Sequence, residues 1–367
     1  MIAAKKVSHR LLVLVSVLVA SELSGFAQQG PVHSSRGMSV DAAGSETILL
    51  PAERRVVFDA TPFSVRSVVP YWNRGYLISR DVETVHPGVS NVRLYDLGGN
   101  KVRQAAIWFP GTQRLLLPSA AVTLDGRIVA VGVAERSDGT RASFIALTDV
   151  SGSITNVIQT NPFHPSHVCV APDNTVWSFG SFGYDEMSRP IEGETLRHYD
   201  FQKGLIGAYV PRSSFSSDSF PPDANGGRNR EVYFRCSTQK LVIYSGVANE
   251  YLEMDFATQT VKRFRVDRSA FNLPINGFAL TATGEVFASL GDFSGATGLR
   301  GLFHLQLDSN MDRVRWLPVP GATAFSKKPG IVTWLGGADD DGLVFMQEGD
   351  DVGVRWARLV NHSASIH

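Results

Sequence analysis

Asp173-Asn174-Thr175-Val176-Trp177-Ser178-Phe179-Gly180 is a tight polar turn running straight into an alternating apolar strand. Asp and Asn supply the local hydrogen bonds and left-handed backbone that a short hairpin demands. The same device recurs along the chain as Asp125-Gly126 before Arg127 to Gly132, Gln239-Lys240 before Leu241 to Gly246, Thr283-Gly284 before Glu285 to Leu290, and Asp341-Gly342 before Leu343 to Met346. Asn73-Arg74-Gly75 before Tyr76 to Ile78 stands at the matching place nearer the N-terminus. A turn-plus-strand unit that returns at a fixed interval is a structural repeat.

A second series fixes the interval. Leu94-Tyr95-Asp96, Leu147-Thr148-Asp149, His198-Tyr199-Asp200, Glu253-Met254-Asp255, Gln306-Leu307-Asp308 and Leu359-Val360-Asn361 each close a strand-like run. Their last residues lie 53, 51, 55, 53 and 53 positions apart, the length of a four-stranded propeller blade. All but the last are followed by polar turns such as Leu97-Gly98-Gly99-Asn100 and Val150-Ser151-Gly152-Ser153. The expected fold is all-β, a six-bladed β-propeller of four-stranded blades, in one domain over 46–361 with a short tail at 362–367. Abundant glycine and the lack of helical apolar spacing agree with it.

Asn361 lies six residues from the C-terminus, which leaves no room for the outermost strand of the last blade. Counting back one period from Asp96 puts that strand near residues 46–58, where Thr47-Ile48-Leu49-Leu50 and Arg54-Arg55-Val56-Val57-Phe58 read as strand without a local partner. The N-terminal strand is therefore expected to pair with the C-terminal blade, removing two sheet edges. Residues 28–45, rich in Gln, Ser, Gly and Ala, read as a flexible lead-in.

The first 27 residues have the secretory layout. Lys5, Lys6 and Arg10 precede the apolar run Leu11 to Ala20, and Gly25-Phe26-Ala27 offers a small-residue cleavage site. The apolar run is about half the length that a membrane span needs. Cleavage after Ala27 is expected, giving a secreted or periplasmic protein with no membrane association after signal removal. Losing three cationic side chains and Glu22 takes the formally neutral chain to net −2. Its basic residues are scattered, which argues against nucleic acid as a partner.

Only two cysteines, Cys169 and Cys236, are present, and export permits a disulfide. Aligning the third and fourth blades on their inner turns sets Cys236 opposite Val170, one place from Cys169. Alternation then sends the two thiols to opposite sheet faces, which favours two buried free thiols over a disulfide.

The period, the Asp-Gly and Asp-Asn inner turns and the Tyr-Asp outer corners resemble the six-bladed propeller superfamily that includes NHL-repeat and TolB-like proteins and the gluconolactonase group. The resemblance covers about residues 46–361 and implies a ligand site where the innermost strands enter the central tunnel. By register those entries carry Arg66, Ser119, His164, His167, Arg230, Asn276 and Lys328. Asn276-Gly277 is similar to the Asn-Gly element of the gluconolactonase group, which holds a divalent metal with Glu, Asn and Asp. No carboxylate stands at the other entries here, so no metal and no cofactor are expected.

His164-Pro165-Ser166-His167 has the residue types of a metal pair or an acid and base, but lacks a third ligand. Ser119 and Ser166 lack the Gly-x-Ser-x-Gly elbow of an activated nucleophile. The acidic stretches Asp339 to Asp341 and Glu348 to Asp351 flank one strand and read as solvated hairpin tips. Residues 211–229 form the longest polar joint, with Phe215 and Phe220 expected to pack across one mouth. A complete scaffold without a complete catalytic set points to an exported binding module for an unknown small molecule or protein, monomeric. The alternative is a hydrolase or lyase of lactonase type acting on an anionic small molecule at the tunnel mouth.

Overall fold

A computed structural model describes residues 37–40, 46–50, 55–57, 71–96, 99–183, 185–187, 189, 191–215, 232–246, 248–269, 275–291, 299–308, 313–319, 332–339, 342–348 and 353–362. The chain divides into residues 1–34, which lie outside that set together with the expected signal segment, and residues 35–367, which hold every described element. No described helix is long and apolar enough to cross a membrane.

The fold is all-β. Three short strands come first: β1 (Gly37–Val40), β2 (Glu46–Leu50) and β3 (Arg55–Val57). The first meander follows as β4 (Tyr71–Asn73), β5 (Tyr76–Arg80), then β6 (Glu83–Thr84), which leaves it, and β7 (Val92–Tyr95) and β8 (Lys101–Ala105). The second is β9 (Thr112–Val122), β10 (Ile128–Arg136), β11 (Arg141–Thr148) and β12 (Ile154–Gln159), with β6 added beside β9. The third is β13 (His164–Val170), β14 (Val176–Ser181), β15 (Glu194–Asp200) and β16 (Gly204–Pro211). The fourth is β17 (Val232–Cys236), β18 (Lys240–Ser245), β19 (Glu250–Asp255) and β20 (Val261–Asp267). The fifth is β21 (Ile275–Leu280), β22 (Val286–Gly291), β23 (Leu299–Leu307) and β24 (Arg313–Pro318), joined to the fourth by the parallel pair β20 and β24. The last is β25 (Val332–Asp339), β26 (Gly342–Glu348) and β27 (Gly353–His362).

The last meander is completed from the other end of the chain. β2 pairs antiparallel with β27 from Glu46↔His362 to Leu50↔Arg358, and β3 continues along the same strand from Arg55↔Arg355 to Val57↔Gly353. This is the place where the repeat count left a strand missing. The stretch expected to be a flexible lead-in is strand in part, because β1 pairs with β2 as a hairpin on its free side.

The recurring aspartates explain the corners. Asp96 accepts the Asn100 N–H at 2.9 Å, Asp149 those of Ser151 and Ser153 at 2.9 Å, Asp200 that of Gln202 at 2.7 Å, and Asp255 that of Thr258 at 2.8 Å. A carboxylate that accepts backbone N–H groups two to four residues ahead pins the hairpin between the third and fourth strands.

Alternation gives each meander two apolar faces, and consecutive meanders stack through them. Ile78, Val92 and Leu94 pack on Leu117, Ala120 and Ala130. Ala121, Val129 and Ile145 pack on Val168, Val170 and Tyr199. Trp177, Phe179 and Leu196 meet Phe234, Ile243 and Leu252, and Tyr244 and Tyr251 meet Phe278, Phe303 and Trp316. Phe287 and Leu302 meet Leu335 and Phe345. The series then returns to its start: a Cβ added at Gly337 on β25 would lie 2.6 Å from the Trp72 carbonyl on β4.

The cysteines correct the expectation of free thiols: Cys169 and Cys236 form a disulfide, with Cα atoms 5.7 Å apart. The alignment behind that expectation holds, since the turn bonds Ala171 N–H to Thr175 and Ser237 N–H to Lys240 make Cys236 the counterpart of Val170. The conclusion fails for a geometric reason. Stacked meanders meet through opposite faces, so side chains on opposite faces of successive sheets are the ones that touch.

Candidate functional site

The first strands of the first four meanders, with the end of β5, bring polar side chains to one place. Tyr71 opens β4, Arg80 ends β5, Ser119 lies on β9, His167 on β13 and Arg235 on β17. The Arg235 guanidinium sits over the Tyr71 ring, 4.8 Å from its centroid, a cation–π contact. Its Nη1 donates to the Phe234 carbonyl at 2.9 Å, and Arg80 Nη2 donates to the Pro118 carbonyl. Ser119 Oγ accepts the Val168 N–H at 3.1 Å and lies beside the Tyr71 hydroxyl. The His167 ring meets the backbone of Val232.

Burial sets the charge states. It pushes the His167 imidazole down to about 3, aided by the positive charges of Arg235 and Arg80 and opposed by the bond to Val232. The ring is therefore neutral across the physiological range. Burial also lowers Arg80 to about 10 and lowers Arg235, yet both remain cations at neutral pH. The Tyr71 phenol is raised by burial, against the pull of Arg235, Arg80 and Ser119, and stays protonated.

The cluster has capacity left over. Arg80 is 8% exposed, and its Nε is buried without a hydrogen-bond partner. The same is true of Arg235 Nε and His167 Nδ1. Tyr71, His167 and Arg235 each keep part of their surface open. Among the described residues no carboxylate contributes to the electrostatics of either arginine. Unpaired buried donors beside uncompensated charge are costly unless something binds them.

Of the expected tunnel-mouth residues, the structure brings together Ser119 and His167. His164 goes elsewhere: its Nδ1 lies 2.6 Å from Ser143 Oγ of the second meander, while His167 turns toward the fourth. The two histidines are thus not a metal pair, and no group of three metal-ligating side chains occurs among the described residues. Arg66, Arg230, Lys328 and the side chain of Asn276 lie outside the described residues, as does Phe220. Phe215 packs 6.1 Å from Phe179 in the core between the third and fourth meanders.

Sequence reasoning missed Tyr71, Arg80 and Arg235. The available signal was a cation inside an apolar strand, as in Val232-Tyr233-Phe234-Arg235-Cys236, since arginine is seldom buried without purpose. A separate open groove of about 430 Å³ lies along the third and fourth meanders, lined by Glu194, Val210, Ser214, Leu252 and Arg263.

No family model matches the chain, and no curated protein matches it. Among solved structures it is similar to β-propellers. A gluconolactonase from Xanthomonas campestris is 12% identical, with a TM-score of 0.41, over 89% of this chain and 95% of that one. The WD40 repeats of RRP9 are 9% identical, with a TM-score of 0.43, over 84% and 99%. A protein of Bacteroides fragilis described as exported is 13% identical, with a TM-score of 0.45, over 81% and 84%. At these identities no residue role passes from one chain to the other.

Proposed function

We propose that the chain is an exported six-bladed β-propeller that works as a ligand-binding module, with its ligand seated among Tyr71, Arg80, Ser119, His167 and Arg235. The six-blade reading is supported by the marker spacing, the strand lent by the N-terminus and the return of packing from Gly337 to Trp72. Such a ring would place the cluster on its axis, where the first strands of all blades converge. Export, with cleavage after Ala27, is supported by the N-terminal charge and apolar pattern. N-terminal sequencing of the mature protein should begin at Gln28.

One observation carries the binding reading. The cluster offers buried donors and an acceptor without partners, but no nucleophile joined to a base. Among the described residues Ser119 Oγ takes a backbone N–H and no hydrogen bond links it to His167. Hydrolysis through a serine needs that link, and through a metal needs oxygen ligands.

The test is thermal denaturation against a panel of anionic, neutral and cationic small molecules, together with turnover assays on lactones and esters. At least one class should raise the melting temperature of the native protein and leave Arg235→Gln unmoved. Lactone or ester hydrolysis abolished in Arg235→Gln would overturn the binding reading in favour of an enzyme.

A further inference from the structure

The unpaired groups specify more than a binding site. Each guanidinium already spends one Nη donor on a backbone carbonyl, Arg80 on Pro118 and Arg235 on Phe234. Among the atoms left buried and unpaired are one Nε–H on each of two different arginines, beside the Tyr71 hydroxyl and His167 Nδ1. The Tyr71 ring covers one face of Arg235 and restricts approach to the guanidinium edge. Arg235 lies over Tyr71 of β4, and Arg80 ends β5, the strand paired with β4, so both guanidiniums belong to the same edge of the first meander.

We propose that this cluster binds a small organic carboxylate, with one oxygen taken by the Arg80 Nε–H and the other by the Arg235 Nε–H. The inference rests on the binding reading above and adds the ligand class. Charge-assisted bonds of this kind are about twice as strong as neutral ones, and a carboxylate is planar with two acceptor oxygens. A phosphate is tetrahedral and brings further oxygens, and each oxygen left buried without a donor weakens binding. A halide has a single centre and no second acceptor. Tyr71 and His167 are neutral, so neither adds a negative charge that would oppose the anion.

The experiment is calorimetric titration of the mature protein with formate and acetate, then with inorganic phosphate and chloride, at matched ionic strength. Formate or acetate should bind saturably, at least tenfold more tightly than phosphate or chloride. Arg80→Lys and Arg235→Lys keep the charge but remove the Nε–H, and each should weaken carboxylate binding tenfold or more. Unchanged circular dichroism spectra establish that the variants fold, and a variant that misfolds leaves the anion comparison on the native protein to decide. Phosphate or chloride binding as tightly as the carboxylates would overturn the proposal. So would full carboxylate affinity in both lysine variants, or no carboxylate binding at all. If another class from the panel stabilises the protein through Arg235 while carboxylates do not, the ligand class fails and the binding reading stands. If nothing in the panel binds, both fail.

Discussion

His167 is held neutral where an unfolded chain would let it take a proton near pH 6.5. With its folded value pushed down to about 3, the unfolded state binds the extra proton throughout the interval between, so stability falls as pH drops through that window. The full displacement corresponds to an upper bound of about 5 kcal/mol at its acidic end. His164 and His198 are also lowered, chiefly by burial, and act with the same sign. Asp149, Asp200 and Asp255 are lowered by their turn hydrogen bonds, the first mainly by Ser151 and the others mainly by backbone N–H groups. Their contribution is lost only as pH falls below the ordinary carboxylate range, so the histidine window stays distinct. The urea midpoint should therefore decline between pH 7 and 4.5, and His167→Gln should flatten that slope; equal slopes in both proteins would refute it. Two glycines are equally specific. A Cβ at Gly180 would strike the His164 carbonyl, and one at Gly132 the Leu116 carbonyl, each opposite a register shift in the first strand. Backbone cannot swing aside as a side chain can, so Gly180→Ala should cost about 1–3 kcal/mol in thermal denaturation. At this scale Ser119 and His167 were legible because their register placed them on first strands. Tyr71, Arg80 and Arg235 were not, because they stand away from the entry positions that the register marked and meet only when separate repeats pack together.

Between elements, the disulfide ties β13 to β17 and closes a loop with a sequence separation of 67 residues. Cross-linking a loop of that length stabilises by about 2–4 kcal/mol, largely through the unfolded chain. The native protein should resist thiol alkylation unless reduced, and the pair Cys169→Ser with Cys236→Ser should melt at lower temperature while keeping its strand content. Alkylation without reductant would show that the bridge does not form. The sequence supplied every premise for this bond, including the one-place offset between the two cysteines. It could not supply which faces meet, since alternation within a strand says nothing about the neighbouring sheet. The same limit applied to β1: a four-residue strand with no apolar periodicity of its own is created by the edge of β2.

For the molecule as a whole, the decisive contact joins the two ends of the chain. Without β2 and β3, the outer edge of β27 would present unpaired N–H and C=O groups. Deleting residues 46–57 should give aggregation or loss of cooperative unfolding, whereas removing residues 28–36 should leave the melting transition unchanged; a stable monomer lacking 46–57 would refute the role of that strand. This contact was foreseeable from the repeat: a period near 53 residues, counted back from Asp96, falls on the orphan strand pattern near residues 46–58. Strand alternation, the polar corners and the repeat are properties of neighbouring residues and can be read along the chain. The disulfide and the cluster of Tyr71, Arg80, His167 and Arg235 join residues from separate repeats and emerge only when the sheets pack. Each meander was readable alone, but the faces, edges and charges that meet between meanders depend on how the sheets stack.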